Sequence, residues 1–256
     1  MLEARHLVKR FSGVTVVDDV SFVVRPGEVV GYLGPNGSGK TTTARMLTGL
    51  LETSTGTVQF DGADIDADLI GFRRRLGYVP EEPRLYPFLS GREYLELVGR
   101  LREIPGGLLG EKIDALLKLL NLTTAADQAI SSYSKGMKQK VLIIAALLHD
   151  PGVLIFDEPD SGLDVTSTLV LRHLVHQLAA RGKAVLYSSH VLDVVERLCT
   201  RVIVLHLGKV VADDSVEHLR SLKDSASLEE VFAELVLRED PEQTASDIVE
   251  VMAIHA

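Results

Sequence analysis

Apolar residues in the first 33 positions fall into three short runs separated by turn residues, which is a strand pattern. The runs are Leu2 to Val8, Val14 to Val24 with partial alternation, and Val29 to Leu33, with Ser12-Gly13 and Pro26-Gly27 between them. The third run leads through a glycine-rich stretch, residues 34–39, into a helix-compatible segment that starts near Thr42 and ends near Gly49. Gly56 to Gly62 then reads as a short strand and turn, and Leu76 to Pro80 as a further strand. From Glu81 to about His149 the period becomes helical. Ser90-x-x-Glu93 is a capping box that opens a helix through Leu101, leucines recur at helical spacing from Leu108 to Leu120, and Lys138 to His149 is mostly apolar. The unbroken apolar run Val153 to Phe156, ending in Asp157-Glu158, predicts a central parallel strand buried on both faces. Leu163 to Ala180 follows as helix, and Ala184 to Ser189 as another buried strand with His190 at its C-terminal edge. Arg201 to His206 and Val210-Val211 give the last strands. Helices are expected from about Ser215 and Ser227, the latter opened by Ser227-x-x-Glu230. The pattern predicts an α/β fold with a mixed β core, an antiparallel β subdomain at the start of the chain and an α-helical lobe inserted at about 81–149. No internal repeat or low-complexity tract interrupts it.

Bulk properties narrow the setting. A chain of 256 residues buries a sizeable core. A single cysteine, Cys199, allows no internal disulfide and fits a reducing compartment. The longest apolar runs, such as Val141 to Leu148, fall far short of the ~20 residues of a membrane helix, and the N-terminus has no signal-peptide pattern. The expectation is a chain that neither spans a membrane nor leaves the cytoplasm alone. The net charge of −9 is concentrated at one end: residues 212–256 carry twelve acids against Arg220, Lys223 and Arg238, so residues 1–211 are neutral. A neutral body without a basic face argues against a nucleic-acid partner. Arg73-Arg74-Arg75 is expected as a solvated face rather than a contact with lipid headgroups or a partner.

The stretch Gly34-Pro35-Asn36-Gly37-Ser38-Gly39-Lys40-Thr41-Thr42, between a strand and a helix, is a P-loop. Glycines at 34, 37 and 39 let successive backbone N–H groups turn inward, and the helix that follows points its positive dipole end at the same place, so a polyphosphate fits there. Lys40 would reach the β- and γ-phosphates, and the Thr41 hydroxyl would help hold Mg²⁺. Asp157 would support that Mg²⁺ with Thr41 through water, and Glu158 would orient or deprotonate the attacking water. His190 would donate to the γ-phosphate and hold the water in line. All of these stand at C-terminal strand edges, where open α/β sheets place ligands. Phe11, at the end of the first strand, is either a core residue or a platform for a purine. His173 and His176 lack an accompanying ligand set and read as helix surface.

In order along the chain, these motifs resemble a nucleotide-binding subunit of an ATP-binding cassette (ABC) transporter, from about Leu2 to Ala212. Gly34 to Thr42 resembles Walker A, Val153 to Glu158 Walker B with its adjacent glutamate, Ser161-Gly162-Leu163-Asp164 the D-loop, and His190 the switch histidine. Tyr133-Ser134-Lys135-Gly136-Met137-Lys138-Gln139 stands where the family's LSGGQ signature belongs, just before a helix. The resemblance implies a P-loop NTPase of the ABC ATPase type, with the cassette at 1–212 and an acidic helical extension at 213–256. It implies two cassettes, expected as a homodimer, meeting head to tail around two ATP, with Ser134, the Gly136 amide and Asp164 serving the opposing site and Phe11 stacking on adenine. The helical lobe would grip a membrane-embedded permease subunit and drive alternating access. The chain would then sit in the cytoplasm, peripheral on the inner face of the cell membrane.

Two departures mark this sequence. Tyr133, Lys135 and Met137 replace the family's Leu, Gly and Gln, while Ser134 and Gly136 are kept. Glu81 stands where the Q-loop glutamine would be, and a carboxylate there faces Mg²⁺ or water. At ~6 Å and an effective dielectric of ~20 its added charge interacts by roughly 3 kcal/mol before screening. Both replacements point by resemblance to the single-cassette subunits of drug- and lipid-type exporters. The alternatives are a soluble ABC ATPase of DNA repair or translation, which high-salt-sensitive nucleic-acid binding would indicate, and a P-loop metabolite kinase, which would need a lid for its acceptor. The acidic extension is either a solvated, stabilising appendix or a helical segment that regulates dimerisation or docks on the partner cassette.

Overall fold

The structure, a computed structural model, describes residues 1–222, 228–236, 246, 249 and 251–252. Two sheets carry the fold. Strands β1 (Leu2–Phe11), β2 (Val14–Val24), β4 (Thr55–Phe60) and β5 (Ala63–Asp64) form an antiparallel sheet in the order β2-β1-β4-β5. Strands β3 (Val29–Leu33), β6 (Leu76–Val79), β7 (Val153–Asp157), β8 (Ala184–Ser188), β9 (Arg201–His206) and β10 (Lys209–Ser215) form a second sheet in the order β10-β9-β3-β8-β7-β6, parallel except for β10. Helices α1 (Lys40–Leu47) and α2 (Leu69–Arg74) precede β6. Helices α3 (Gly91–Leu101), α4 (Gly106–Leu119) and α5 (Lys135–Leu147) separate β6 from β7. Then come α6 (Val165–Ala180), α7 (Leu192–Leu198), α8 (Val216–Leu222) and α9 (Leu228–Val236).

The unbroken apolar runs of β3 and β7 have a simple cause. Alternate residues of a strand point to opposite faces, and both faces of the parallel sheet are covered. Val30, Tyr32, Val153 and Ile155 pack toward α1 and the antiparallel sheet. Val29, Leu33, Leu154 and Phe156 pack toward α5, α6 and α7. The helical lobe has a core of its own around Leu95, Leu109, Ile113, Leu117 and Ile144. Its first helix starts as expected: Glu93 N–H donates to Ser90 Oγ at 3.2 Å and Ser90 N–H to Glu93 Oε2 at 2.8 Å.

Several expectations need revision. Strand β10 runs to Ser215, across the expected 212/213 boundary, because Ala212 to Ser215 pair with β9 through the backbone regardless of their polar side chains. Helix α9 buries Leu228, Val231 and Val236 in the same core as α7, so this part of the acidic extension is packed rather than solvated. The Ser227 capping box lies outside the described residues. The arginine run is solvated as expected at Arg74 and Arg75, while Arg73 is half-buried. Arg73 donates to the Gly49 carbonyl at 2.6 Å, Arg74 to Glu103 at 2.5 Å, and Arg75 pairs with Asp61 while its guanidinium lies 4.2 Å from the Phe60 ring centre. No described helix is long and apolar enough to cross a membrane.

Candidate active site

The loop from Gly34 to Gly39 joins the end of β3 to the start of α1, and two of its glycines are fixed by space. A Cβ at Gly34 would lie 2.4 Å from the Leu205 carbonyl and from Ser38 Oγ. Gly39, the residue before α1, has φ +105°, and a Cβ there would approach the Val16 carbonyl to 2.9 Å. Lys40 is buried, and its Nζ donates to the carbonyls of Gly34 at 2.7 Å and Pro35 at 3.2 Å. Burial lowers the pKa of this ammonium, while Glu158, Asp157 and Glu81 act in the opposite direction. Thr41 Oγ1 donates to Glu81 Oε2 at 3.3 Å.

The acids stand where the buried strands end. Asp157, the last residue of β7, is wholly buried beside Ser188 of β8, and neither of its carboxylate oxygens nor Ser188 Oγ has a hydrogen-bond partner. Burial raises its pKa, opposed by the neighbouring Thr41 and Ser188 hydroxyls and reinforced by the charges of Glu81 and Glu158. A dry, unpaired carboxylate next to a threonine hydroxyl fits a hard divalent cation. No cluster of three His, Cys, Asp or Glu arranged for a metal occurs among the described residues, so phosphate oxygens and water would complete such a cation's shell. Glu158 takes a left-handed conformation, φ +50°, unusual for a residue with a side chain. Its N–H donates to the Ser188 carbonyl at 3.0 Å, and its Oε2 lies 2.7 Å from His190 Nδ1. Glu158 is buried and His190 exposed, with side-chain accessibilities of 11% and 66%, so the histidine is the solvent-facing member of the pair.

A cleft of about 300 Å³ brings together Asn36, Gly37, Gly39, Lys40, Thr41, Thr42, Glu81 and Glu158, with Val16 of β2 on its wall. Nine of the residues expected at the nucleotide do not line it: Gly34, Pro35, Ser38, Asp157 and His190, on the P-loop and the strand edges, and Phe11, Ser134, Gly136 and Asp164. Phe11 is half exposed at the end of β1, with Lys9 Nζ 5.2 Å from its ring centre. Ser134 caps α5 by accepting from the Met137 N–H at 3.2 Å. Gly136 packs on Gly162, and Asp164 caps α6 by accepting from the Ser167 N–H at 2.8 Å. Two contacts escaped sequence reasoning. Tyr187 OH donates to Asp160 Oδ2 at 2.6 Å, and Lys135 Nζ donates to Ser161 Oγ at 2.5 Å. Tyr187 lies inside an apolar run and gave no signal; Lys135 was visible as a replaced signature glycine.

Known proteins share this arrangement. The family model described as ABC transporter matches residues 17–161. An ABC transporter ATP-binding protein of Bacillus subtilis, YhcH, is 41% identical over 218 residues, covering 85% of this chain and 70% of its own length. The ABC transporter ATP-binding protein NatA of the same organism is 38% identical over 226 residues, with 88% and 92% coverage. A Nod factor export ATP-binding protein I of Paraburkholderia xenovorans is 36% identical over 231 residues, with 90% and 76% coverage. Among solved structures, the ATP-binding subunit of an ABC transporter superposes with a TM-score of 0.86 at 34% identity, covering 91% of this chain and 98% of that one. A dimeric post-hydrolysis state of the cassette MJ0796 bound to ADP and Pi gives 0.77 at 25% identity, with 84% and 98% coverage. The strand-end acids, the P-loop and these likenesses agree: the chain belongs to the ABC transporter family, as one of its ATP-hydrolysing cassettes.

Proposed function

We propose that two copies of this chain meet head to tail around two Mg²⁺-ATP and that the pair drives export of a drug, lipid or other amphipathic compound through a separate membrane-embedded permease. The observation that carries the reading is Asp157, a buried carboxylate with both oxygens unpaired, between Thr41 and the Glu158–His190 pair. Lys40 and the amides of the P-loop hold the phosphates. Asp157 and Thr41 would hold the Mg²⁺, with Glu81 beside them, and when bound it would supply charge neutralisation at the phosphates. Glu158 accepts a proton from the attacking water, and His190 keeps that carboxylate in place. Phe11 stacks on adenine. Ser134, the Gly136 amide and Asp164 of the second copy close the γ-phosphate side.

The permease partner is supported by a groove of about 740 Å³ between the helical lobe and the parallel sheet, lined among others by Leu50, Tyr78, Glu81, Arg84 and Tyr94. Thr41 and Glu81 border both this groove and the ATP cleft, so a helix seated in it feels the state of the nucleotide. The chain would then lie on the inner face of the cell membrane. Export is favoured by the likeness to a Nod factor export protein. Steady-state ATP hydrolysis tests the chemistry. Glu158→Gln should lower the rate about 10²–10⁴-fold with ATP affinity intact, and a normal rate sinks the assignment of Glu158 as base.

A further inference from the structure

Lys135 stands in the signature turn between Ser134 and Gly136, yet its side chain turns back onto its own chain. Its Nζ donates to Ser161 Oγ at 2.5 Å. Its stem lies over Gly162, where a Cβ would come within 2.8 Å of Lys135 Cγ. One residue on, a Cβ at Gly136 would lie 2.4 Å from the Gly162 carbonyl, and Lys140 Nζ is 3.6 Å from Asp164 Oδ2. The first turns of α5 are therefore seated on the loop 159–164, which begins immediately after Glu158.

The same loop is tied to the catalytic strand edge. Tyr187 of β8 holds Asp160, the Ser161 N–H donates to the Glu158 carbonyl at 3.1 Å, and Asp164 caps α6. Glu158 is fixed in turn by the Ser188 carbonyl and His190. A short, bonded path thus runs from the signature turn to the carboxylate that faces this chain's own nucleotide. Its charged link is a lysine at a position where the family signature has glycine. A charge-assisted bond holds geometry better than a neutral one, and a displacement of ~1 Å at a reacting group costs as much as 10²-fold in rate.

We propose that Lys135 is a positioning residue that couples the two ATP sites of the dimer: by holding Ser161 it joins the turn that closes the partner's nucleotide to the loop that follows this chain's own Glu158. The inference rests on the head-to-tail dimer proposed above. A signature turn drawn onto the partner's γ-phosphate shifts Ser161, and with it the loop behind Glu158. Binding at one site then sets the geometry at the other.

The test is steady-state ATP hydrolysis of the full chain as a function of ATP concentration, with fluorescent-ATP binding and thermal unfolding measured beside it. Lys135→Ala should lower kcat about 5–10-fold and bring the Hill coefficient from near 2 toward 1, with nucleotide affinity within about 2-fold. Ser161→Ala should do the same, the double variant should fall no further, and Lys135→Arg should restore cooperativity. If Lys135→Ala fails to fold, the Ser161→Ala and Lys135→Arg pair carries the test alone. A cooperative Lys135→Ala, multiplicative losses in the double variant, or no rescue by arginine would each overturn the role of Lys135. A wild-type chain with a Hill coefficient of 1 would instead overturn the dimer reading.

Discussion

Asp157 lies at the dry end of β7 with no partner for either oxygen, whereas Ser134, at the start of α5, is open to solvent and uses its hydroxyl to cap its own helix. In the proposed dimer both serve the same chemistry. At the strand edge, fixed backbone and excluded water make an unpaired carboxylate costly, and that cost is tolerated where a cation and phosphates complete the site. At the signature turn Ser134 is satisfied within the chain by its own helix. In the proposed dimer this turn is one half of a site whose other half is a second copy. In that reading one sequence holds two unlike halves: one built from buried strand ends, the other from an exposed helix start.

Substitutions can sharpen this contrast, and the largest effects belong to the strand edge. Lys40→Ala should weaken ATP binding and lower hydrolysis by about 10²–10³-fold, read by fluorescent-nucleotide titration and phosphate release, because it removes the clamp on the developing charge. Asp157→Asn should abolish the Mg²⁺ dependence of nucleotide binding and yet stabilise the nucleotide-free protein at neutral pH by about 1–3 kcal/mol, because it discharges a buried, unpaired carboxylate. A raised pKa in the folded state means that Asp157 favours folding only when protonated. Its contribution is fully present below the ordinary carboxylate range and is lost as pH rises through the raised value. Urea unfolding of the wild type and Asp157→Asn at two pH values checks the sign.

A smaller effect is expected behind the strand edge. Tyr187→Phe leaves Asp160 without its donor and should cost about 1–2 kcal/mol in unfolding free energy, with a partial loss of kcat. The helical lobe offers a pH probe away from the nucleotide. Burial, with Arg102 beside it, lowers the pKa of His149 from 6.5 to about 4. Its neutral form therefore favours folding above pH 6.5, and that contribution is lost as pH falls toward 4. In thermal melts His149→Gln should flatten the decline over that window, with nucleotide affinity unchanged.

Much of this was legible in the chain itself. The strands β3, β7 and β8 announce themselves as apolar runs because both of their faces are covered, and the capping box of α3 is a local signal that needs no tertiary context. What escaped depends on distant partners. The polar residues Asp213 and Asp214 extend β10 because an edge strand pairs through its backbone. Arg73 is half-buried on the Gly49 carbonyl, a contact only the fold supplies, while Arg74 and Arg75 keep their exposure beside Glu103 and Asp61. The Glu158–His190 contact joins residues 32 apart and is likewise set by the parallel pairing of β7 with β8.

The central claim is that the exposed half of the site completes the buried half of a second copy. Sedimentation velocity of Glu158→Gln tests it most directly, alone and combined with Ser134→Glu. With Mg²⁺-ATP, Glu158→Gln should sediment as a dimer, and the double variant should remain monomeric while binding ATP as before. A dimer that survives Ser134→Glu unchanged, or a monomeric Glu158→Gln saturated with ATP, would contradict the account.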